Sequence, residues 1–439
     1  MRLPKVLIIN EAFNNHTGGG ITMSNLFSGW DTDKIAAVCS PFILGGVDAT
    51  ICKTYYQLGN KEREYKFPFN VIGRNRYSGL VKFDETKTTP EVETAKSNLR
   101  HKIVMGYLMP FLEYIGLIKR ITQTKLSPEL CQWLDEFKPD IIYSQAHDIP
   151  DITLILLIHD YLKKPLVFHM MDDWVSMVTG ARFLRSTELK RNDKAFRKLL
   201  DQSDFLMSIS DEMSNAYKLR YGKDFTAFHN PIDLNFWQKF QRSNYDLGSS
   251  PTILYAGRLG IGIDESLELI AQAIQSVNEK LNLNIKFILQ AKENPLWSSN
   301  YSCVQHRGFV AYEDLPKMFS GADFLILPYD FSPQSIQFIG YSMPTKATEY
   351  MISGTPIIIF APDNTALVNY ARRRKFAKII TENNVTILCD AIISLIQNKE
   401  ERYRLAQNAI DVAENNHSLV KVTSEFRNIL YSLANPNNG

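Results

Sequence analysis

The sequence predicts an α/β protein built from two doubly wound, Rossmann-like parallel-sheet domains. Three observations carry that expectation. Short apolar runs alternate with helical patterns through most of the chain, which is the order of parallel sheets covered by helices on both faces. The runs lack alternation, as strands buried on two sides should. The pattern also restarts: one series of strands ends before a polar Ser/Gly-rich stretch, Ser249-Ser250-Pro251, and a second begins at Thr252. A composition shift of that kind suits a domain boundary.

In the first half the strands are expected at Lys5–Ile9, Asp140–Ser144, Leu166–Met170 and Phe205–Ser208. In the second they fall at 252–257, Ile285–Gln290, Cys303–His306, Phe324–Leu327 and Ile357–Phe360. The domains are then 1–235, 236–415, and a helical tail at 416–439 that could pack back on the first. Two such sheets place a cleft outside the carboxyl ends of their strands.

Residues 60–125 depart from this scheme. They are rich in basic and aromatic residues and then turn apolar over 103–120. Two readings stand: an acceptor- or membrane-facing elaboration with Lys119, Arg120 and Lys125 near headgroups, or a helix pair packed inside the domain and broken at Pro110. The second is favoured, because most apolar helical stripes are core.

With 45% hydrophobic and 22% charged residues, the 439-residue chain has an ordinary globular composition. A net charge of +2 gives no general attraction to nucleic acid. Five scattered cysteines form no metal or redox spacing, which points to free thiols in a reducing compartment. No run reaches the ~20 apolar residues of a membrane span, and the apolar stretch near Met1 reads as a first strand rather than a leader. A cytoplasmic protein is expected.

The most informative segment is Pro344-Thr345-Lys346-Ala347-Thr348-Glu349-Tyr350-Met351-Ile352-Ser353-Gly354-Thr355-Pro356. It reads as a short helix opened by Pro344 and stopped by Gly354, followed by a buried strand. Met343 is a poor cap, so the first amides lack a side-chain acceptor and can bind an anion. Lys346 and Glu349 share a face. A phosphate site beside a carboxylate that could grip a diol suits a nucleotide sugar.

Other candidates sit at predicted strand ends. Thr17-Gly18-Gly19-Gly20 reads as a loop that lets a ligand approach the backbone or as a plain turn. It lacks the dinucleotide-binding spacing, which disfavours NAD. Arg258, after the strand that opens the second domain, could bind a diphosphate in two-pronged fashion, or be a salt-bridged surface arginine. Asp264 is placed to cap the helix that follows. His169 leaves the strand 166–170 into the cleft, with His147 a weaker version of the same case; a lone histidine is more often structural. Asp172 and Asp173 read as a turn. Hydrolase elbows, Walker loops and paired-carboxylate motifs are absent from the sequence.

In order and spacing these residues resemble retaining glycosyltransferases of the GT-B fold, the family-4-like group that includes bacterial lipopolysaccharide and capsule sugar transferases. The resemblance spans nearly the whole chain. It rests on Gly18-Gly19-Gly20, Phe168-His169, Asn230-Pro231-Ile232-Asp233, Tyr255-Ala256-Gly257-Arg258, Gly308-Phe309-Val310 through Ala322-Asp323, and the Pro344–Pro356 segment. It implies a first domain that binds the acceptor, a glycan or lipid-linked sugar, and a second that binds a nucleotide-diphosphate sugar. It further implies retention of anomeric configuration and a role in cell-surface polysaccharide synthesis. Because protein cations and amides can neutralise the phosphates, no metal or other cofactor is expected; peripheral contact with the inner membrane is the expectation that goes with the membrane-facing reading of 103–120. By resemblance Glu349 holds the ribose and Arg258 the diphosphate. Gly19 and Gly20 approach the phosphates, His169 the transferred sugar, and Phe309 and Val310 the base. Gly257 and Thr345 complete the donor set, and Lys346 joins His169 and Arg258 as a catalytic residue.

Two departures stand out. Tyr341 occupies the place of a second glutamate, eight residues before Glu349, and the loop after Arg258 has no lysine. Lys346 has the charge and helix position to compensate. The competing readings are a nucleotide-sugar epimerase, which needs more cleft acids than the sequence offers, and a non-catalytic nucleotide binder.

Overall fold

The computed structural model describes residues 2–67, 69, 76–83, 109–114, 118–177 and 184–436. Most of the 103–120 segment lies outside these residues, and so does the choice between its two readings. The chain divides into two compact units, one of 1–209, 214–228 and 423–439, the other of 210–213 and 229–422. The boundary therefore falls at Phe228/His229, and the last part of the final helix groups with the first unit.

Unit 1 is built on an eight-stranded sheet in the order β10-β9-β8-β7-β1-β2-β3-β5. Its strands are β1 (Val6–Ile9), β2 (Ile35–Cys39), β3 (Thr54–Gln57), β5 (Gly79–Lys82), β7 (Ile141–Ser144), β8 (Leu166–Met170), β9 (Phe205–Ser208) and β10 (Thr226–Ala227). All pairs are parallel except β3 with β5, which closes one edge antiparallel. A separate antiparallel pair joins β4 (Arg63–Tyr65) and β6 (Thr122–Thr124). The four strands expected here exist. β2, β3, β5 and β10 are additional to those expected: β2 is Ile-Ala-Ala-Val-Cys, β3 is Thr-Tyr-Tyr-Gln, and β10 is only two residues long.

Aromatic rings fix the core of this unit. Phe27 meets Phe13 edge-on at 5.6 Å and Tyr143 at 5.4 Å. Phe426, from the final helix, stands edge-on to Phe27 at 5.1 Å and to Phe228 at 5.6 Å. Such pairs contribute about 0.5–1.5 kcal/mol beyond their burial, which ties the end of the chain to the start of the unit.

Unit 2 carries a six-stranded, wholly parallel sheet in the order β13-β12-β11-β14-β15-β16. Its strands are β11 (Thr252–Ala256), β12 (Lys286–Gln290), β13 (Val304–Arg307), β14 (Phe324–Pro328), β15 (Ile357–Phe360) and β16 (Ala377–Ile380). The helix Asp264–Leu281 lays Leu267, Ile270, Ala271 and Ile274 on the sheet, where each is fully buried. Asp264 does not cap that helix: Ile263 holds the cap position, and Asp264 turns back to accept the Gly260 amide at 2.7 Å. The tail is two helices, Lys399–Asn416 and Leu419–Ala434, interrupted at His417-Ser418.

All five cysteines are free, and all but Cys131 are buried. No described helix is long and apolar enough to cross a membrane.

Candidate functional sites

In a doubly wound sheet, ligands bind outside the carboxyl ends of the strands where the strand order reverses. In unit 2 the reversal lies between β11 and β14, and the residues after β11 are Gly257 and Arg258. The helix Thr345–Ile352 is pinned against this point. Its buried Tyr350 hydroxyl accepts the Ala256 amide at 2.9 Å, and its ring packs on Phe319 at 4.8 Å. Pro344 occupies the N-cap position rather than the first helical turn, and no side chain caps the first amides. At the other end Gly354, at φ +73°, supplies the left-handed residue that stops the helix.

This anchoring sets Lys346 and Glu349. The Lys346 ammonium lies 4.1 Å from the centroid of the buried Tyr255 ring. That contact is possible because position 257 has no side chain: a Cβ there would stand 2.0 Å from Lys346 Nζ. Gly257 also has φ +158°. Burial and then the charge of Arg258 push Lys346 down to about 7, against a smaller opposite pull from Glu349. Glu349 is 7% exposed. Burial raises its carboxyl to about 7, against the pull of Lys346. Among the described residues no protein donor hydrogen-bonds that carboxylate. Arg258 is exposed, donates to the Ile261 carbonyl at 3.0 Å, and lies over Phe338.

Gly257, Arg258, Lys346 and Glu349 thus gather at one end of one sheet. Thr345 begins the same helix, and Phe309 and Val310 are exposed just past β13. Tyr312, whose hydroxyl feels the charge of Glu349, stacks on Phe236 at 5.5 Å. Replacing Gly257 by Ala should displace the Lys346 ammonium, the mobile end of a long side chain, more than it disturbs the fold. We expect a stability loss of about 1–2 kcal/mol, measured by thermal melting.

Gly19, Gly20 and His169 belong to unit 1, and two of the expectations for them change. The glycines are not a loop before a helix; they are its first turn, Gly18–Leu26, because the Thr17 hydroxyl accepts the Gly20 amide at 3.1 Å. Asn14 fills the space beside Gly20, where a Cβ would stand 2.1 Å from its amide nitrogen. His169 does not leave its strand. It is 1% exposed inside β8, its Nδ1 bonded to the Tyr143 hydroxyl, and burial drives its pKa to about 3. The imidazole is neutral and enclosed, and its Nε2 has no hydrogen-bond partner among the described residues. The residue beside the glycine turn is instead Met171, whose sulfur lies 4.0 Å from a Cβ built on Gly19.

Sequence reasoning missed Glu11, the nearest charged group to that turn. The signal was a carboxylate immediately past the first strand of a doubly wound sheet, where functional residues collect.

Residues 250–398, within unit 2, match the family described as Glycosyl transferases group 1. The whole chain is similar in fold to HepE from Anabaena, solved with UDP-glucose, at 13% identity, covering 98% of this chain and 100% of that one with a TM-score of 0.60. It is similar to WaaG, a glycosyltransferase involved in lipopolysaccharide biosynthesis, at 12% identity, 99% and 100% coverage, and a TM-score of 0.56. Sucrose-phosphate synthase from Thermosynechococcus elongatus matches at 11% identity, 98% of both chains, with a TM-score of 0.58. No curated protein matches the sequence. The architecture is the GT-B fold. The candidate residues from Gly257 to Glu349 all lie inside the matched segment, residues 250–398.

Proposed function

We propose that the protein transfers a sugar from a nucleotide-diphosphate sugar to a glycan or lipid-linked acceptor. The observation that carries this reading is the pairing of two cations with a buried, unpartnered carboxylate at the β11/β14 reversal. Arg258 and Lys346 meet the diphosphate, where negative charge grows as the glycosidic bond breaks; preorganised cations there lower the barrier. Glu349 accepts the ribose hydroxyls. With protein cations and helix amides on the phosphates, the reaction needs no divalent metal. The resemblance supports retention, which NMR assignment of the product anomer tests. A place in lipopolysaccharide or capsule synthesis, at the cytoplasmic face of the membrane, rests on the same resemblance and on the likeness to WaaG.

The test is thermal melting with UDP, GDP, ADP and their sugars. A ligand at 100 times its Kd adds about 2.7 kcal/mol to the native state, so one nucleoside diphosphate should raise the melting temperature by several degrees. If none does, the donor reading fails.

One observation favours a second reading, a non-catalytic nucleotide binder. Tyr341 stands where the resemblance expects a glutamate, and the Ser210 hydroxyl holds its carbonyl at 2.8 Å. Slow hydrolysis of the donor sugar, lost in Glu349→Ala, would eliminate that alternative.

A further inference from the structure

In unit 1 the strand order reverses between β1 and β7, and a second constellation lies there that the donor chemistry does not use. Asn10 follows β1 in a left-handed conformation, φ +66°, a region that asparagine tolerates better than most residues. Its side-chain amide donates to the Gln145 carbonyl at 3.0 Å, and its oxygen accepts from Arg63. The chain then presents Glu11, which is 9% exposed. Glu11 Oε1 accepts the Ala12 amide at 3.0 Å. Oε2 has no donor among the described residues, and it points at Gly19, where a Cβ would stand 3.1 Å away. The missing side chain keeps the approach to Oε2 open.

The surroundings are those of a binding site for a neutral polar molecule. His147, half-exposed, lies 3.4 Å from Asp151, which is also ion-paired with Arg63. Asp172 adds negative charge near both Glu11 and His147. Met171 supplies an apolar flank. Carboxylate neighbours repel an anion, so the diphosphate is a poor occupant. A hydroxyl can donate to Oε2, and a sugar ring can lay its C–H face on the thioether.

We propose that Glu11 is the residue that holds the acceptor, hydrogen-bonding a hydroxyl of a neutral sugar ring through Oε2 across the gap left by Gly19. This rests on the glycosyltransferase reading above and names the acceptor class for it. The role is one of binding and orientation, and no bond to Glu11 forms. Burial raises the Glu11 carboxyl, and the charges of Asp172 and Asp151 add to this, while the Ala12 amide and His147 oppose it. Cys39 and Tyr143 face it as well, both neutral, their own groups pushed up by burial. Only the ionised carboxylate is a pure acceptor, so acceptor affinity should fall as the pH drops through the raised value.

The experiment measures binding of n-octyl glycosides of glucose, galactose, mannose, rhamnose and N-acetylglucosamine to the full chain by saturation-transfer NMR. UDP binding is measured in parallel. At least one glycoside should bind, and Glu11→Gln should weaken it tenfold or more while UDP affinity and melting temperature stay unchanged; Gly19→Ala, which brings a Cβ to about 3.1 Å from Oε2, should weaken the glycoside likewise. As the pH falls, the wild-type affinity should drop more than that of Glu11→Gln. Equal glycoside affinity in wild type and Glu11→Gln, or no binding of any glycoside, overturns the inference. Failure of UDP to bind while the glycoside arm behaves as stated overturns only the donor reading.

Discussion

Lys346→Ala is expected to lower sugar-transfer turnover by about 10²–10³-fold, the cost of removing one preorganised donor from a developing anion. The fold should survive, because the ammonium makes no hydrogen bond that another element depends on; its contact is the Tyr255 ring. Steady-state kinetics beside circular dichroism checks both halves, and unchanged turnover would remove Lys346 from the mechanism. The same residue gives the reaction a pH signature. Its pKa lies near 7 in the ligand-free protein, depressed from 10.5. On the donor reading the charged form meets the diphosphate, so UDP affinity should decline as pH rises above about 7; on binding, Lys346 takes up a proton and Glu349, needed as the carboxylate, releases one. Calorimetry in buffers of different ionisation enthalpy measures the balance, and Lys346→Met should shift it toward proton release.

The stability of the free protein follows with the opposite sense on each side of neutrality. Between about 7 and 10.5 the unfolded chain binds more protons at Lys346 than the folded chain does, so this residue's contribution to stability rises with pH. Glu349 is raised from 4.5 to about 7, so between those values the folded state binds more protons and its contribution falls as pH rises. Together they predict a dip near pH 7 that UDP fills.

Glu349→Gln is expected to weaken nucleoside-diphosphate binding about 10–100-fold, in line with about 1.5–3 kcal/mol for a hydrogen bond to a charged group. The isosteric amide keeps the shape, so packing should not change. Because the carboxylate is desolvated without a protein partner, the variant should melt at the same temperature or higher in the absence of ligand. Comparing UDP with its 2′,3′-dideoxy analogue isolates the ribose contact: the analogue should bind wild type weakly, and the substitution should cost it little more. A full additional loss for the analogue would place Glu349 elsewhere than on the ribose.

Several of these features were legible in the sequence, for local reasons. Pro344 and Gly354 bracket a helix by backbone geometry alone, and the three-residue spacing of Lys346 and Glu349 follows from helical periodicity. The strand β15 is a run of Ile-Ile-Ile-Phe that nothing else explains. What stayed hidden depends on partners distant in sequence. His169 looked available because a histidine near a strand end is polar, but β8 is buried along its whole length and Tyr143 from β7 meets the imidazole. The glycine run looked like a loop until Thr17 and Asn14 capped and packed it. Glu11 gave no motif; its significance comes from Gly19, eight residues on, and from the strand order.

The buried sulfurs have a practical consequence. Burial pushes up the thiols of Cys39, Cys52, Cys303 and Cys389, and the partly exposed Cys131 is raised as well, so thiolate is scarce and alkylating reagents find few targets. The protein is close to a ready-made host for site-specific labels. Replacing Cys131 alone should leave a background silent enough that a fluorophore or spin probe attached to one new surface cysteine in each unit reports the distance between them as donor and acceptor bind.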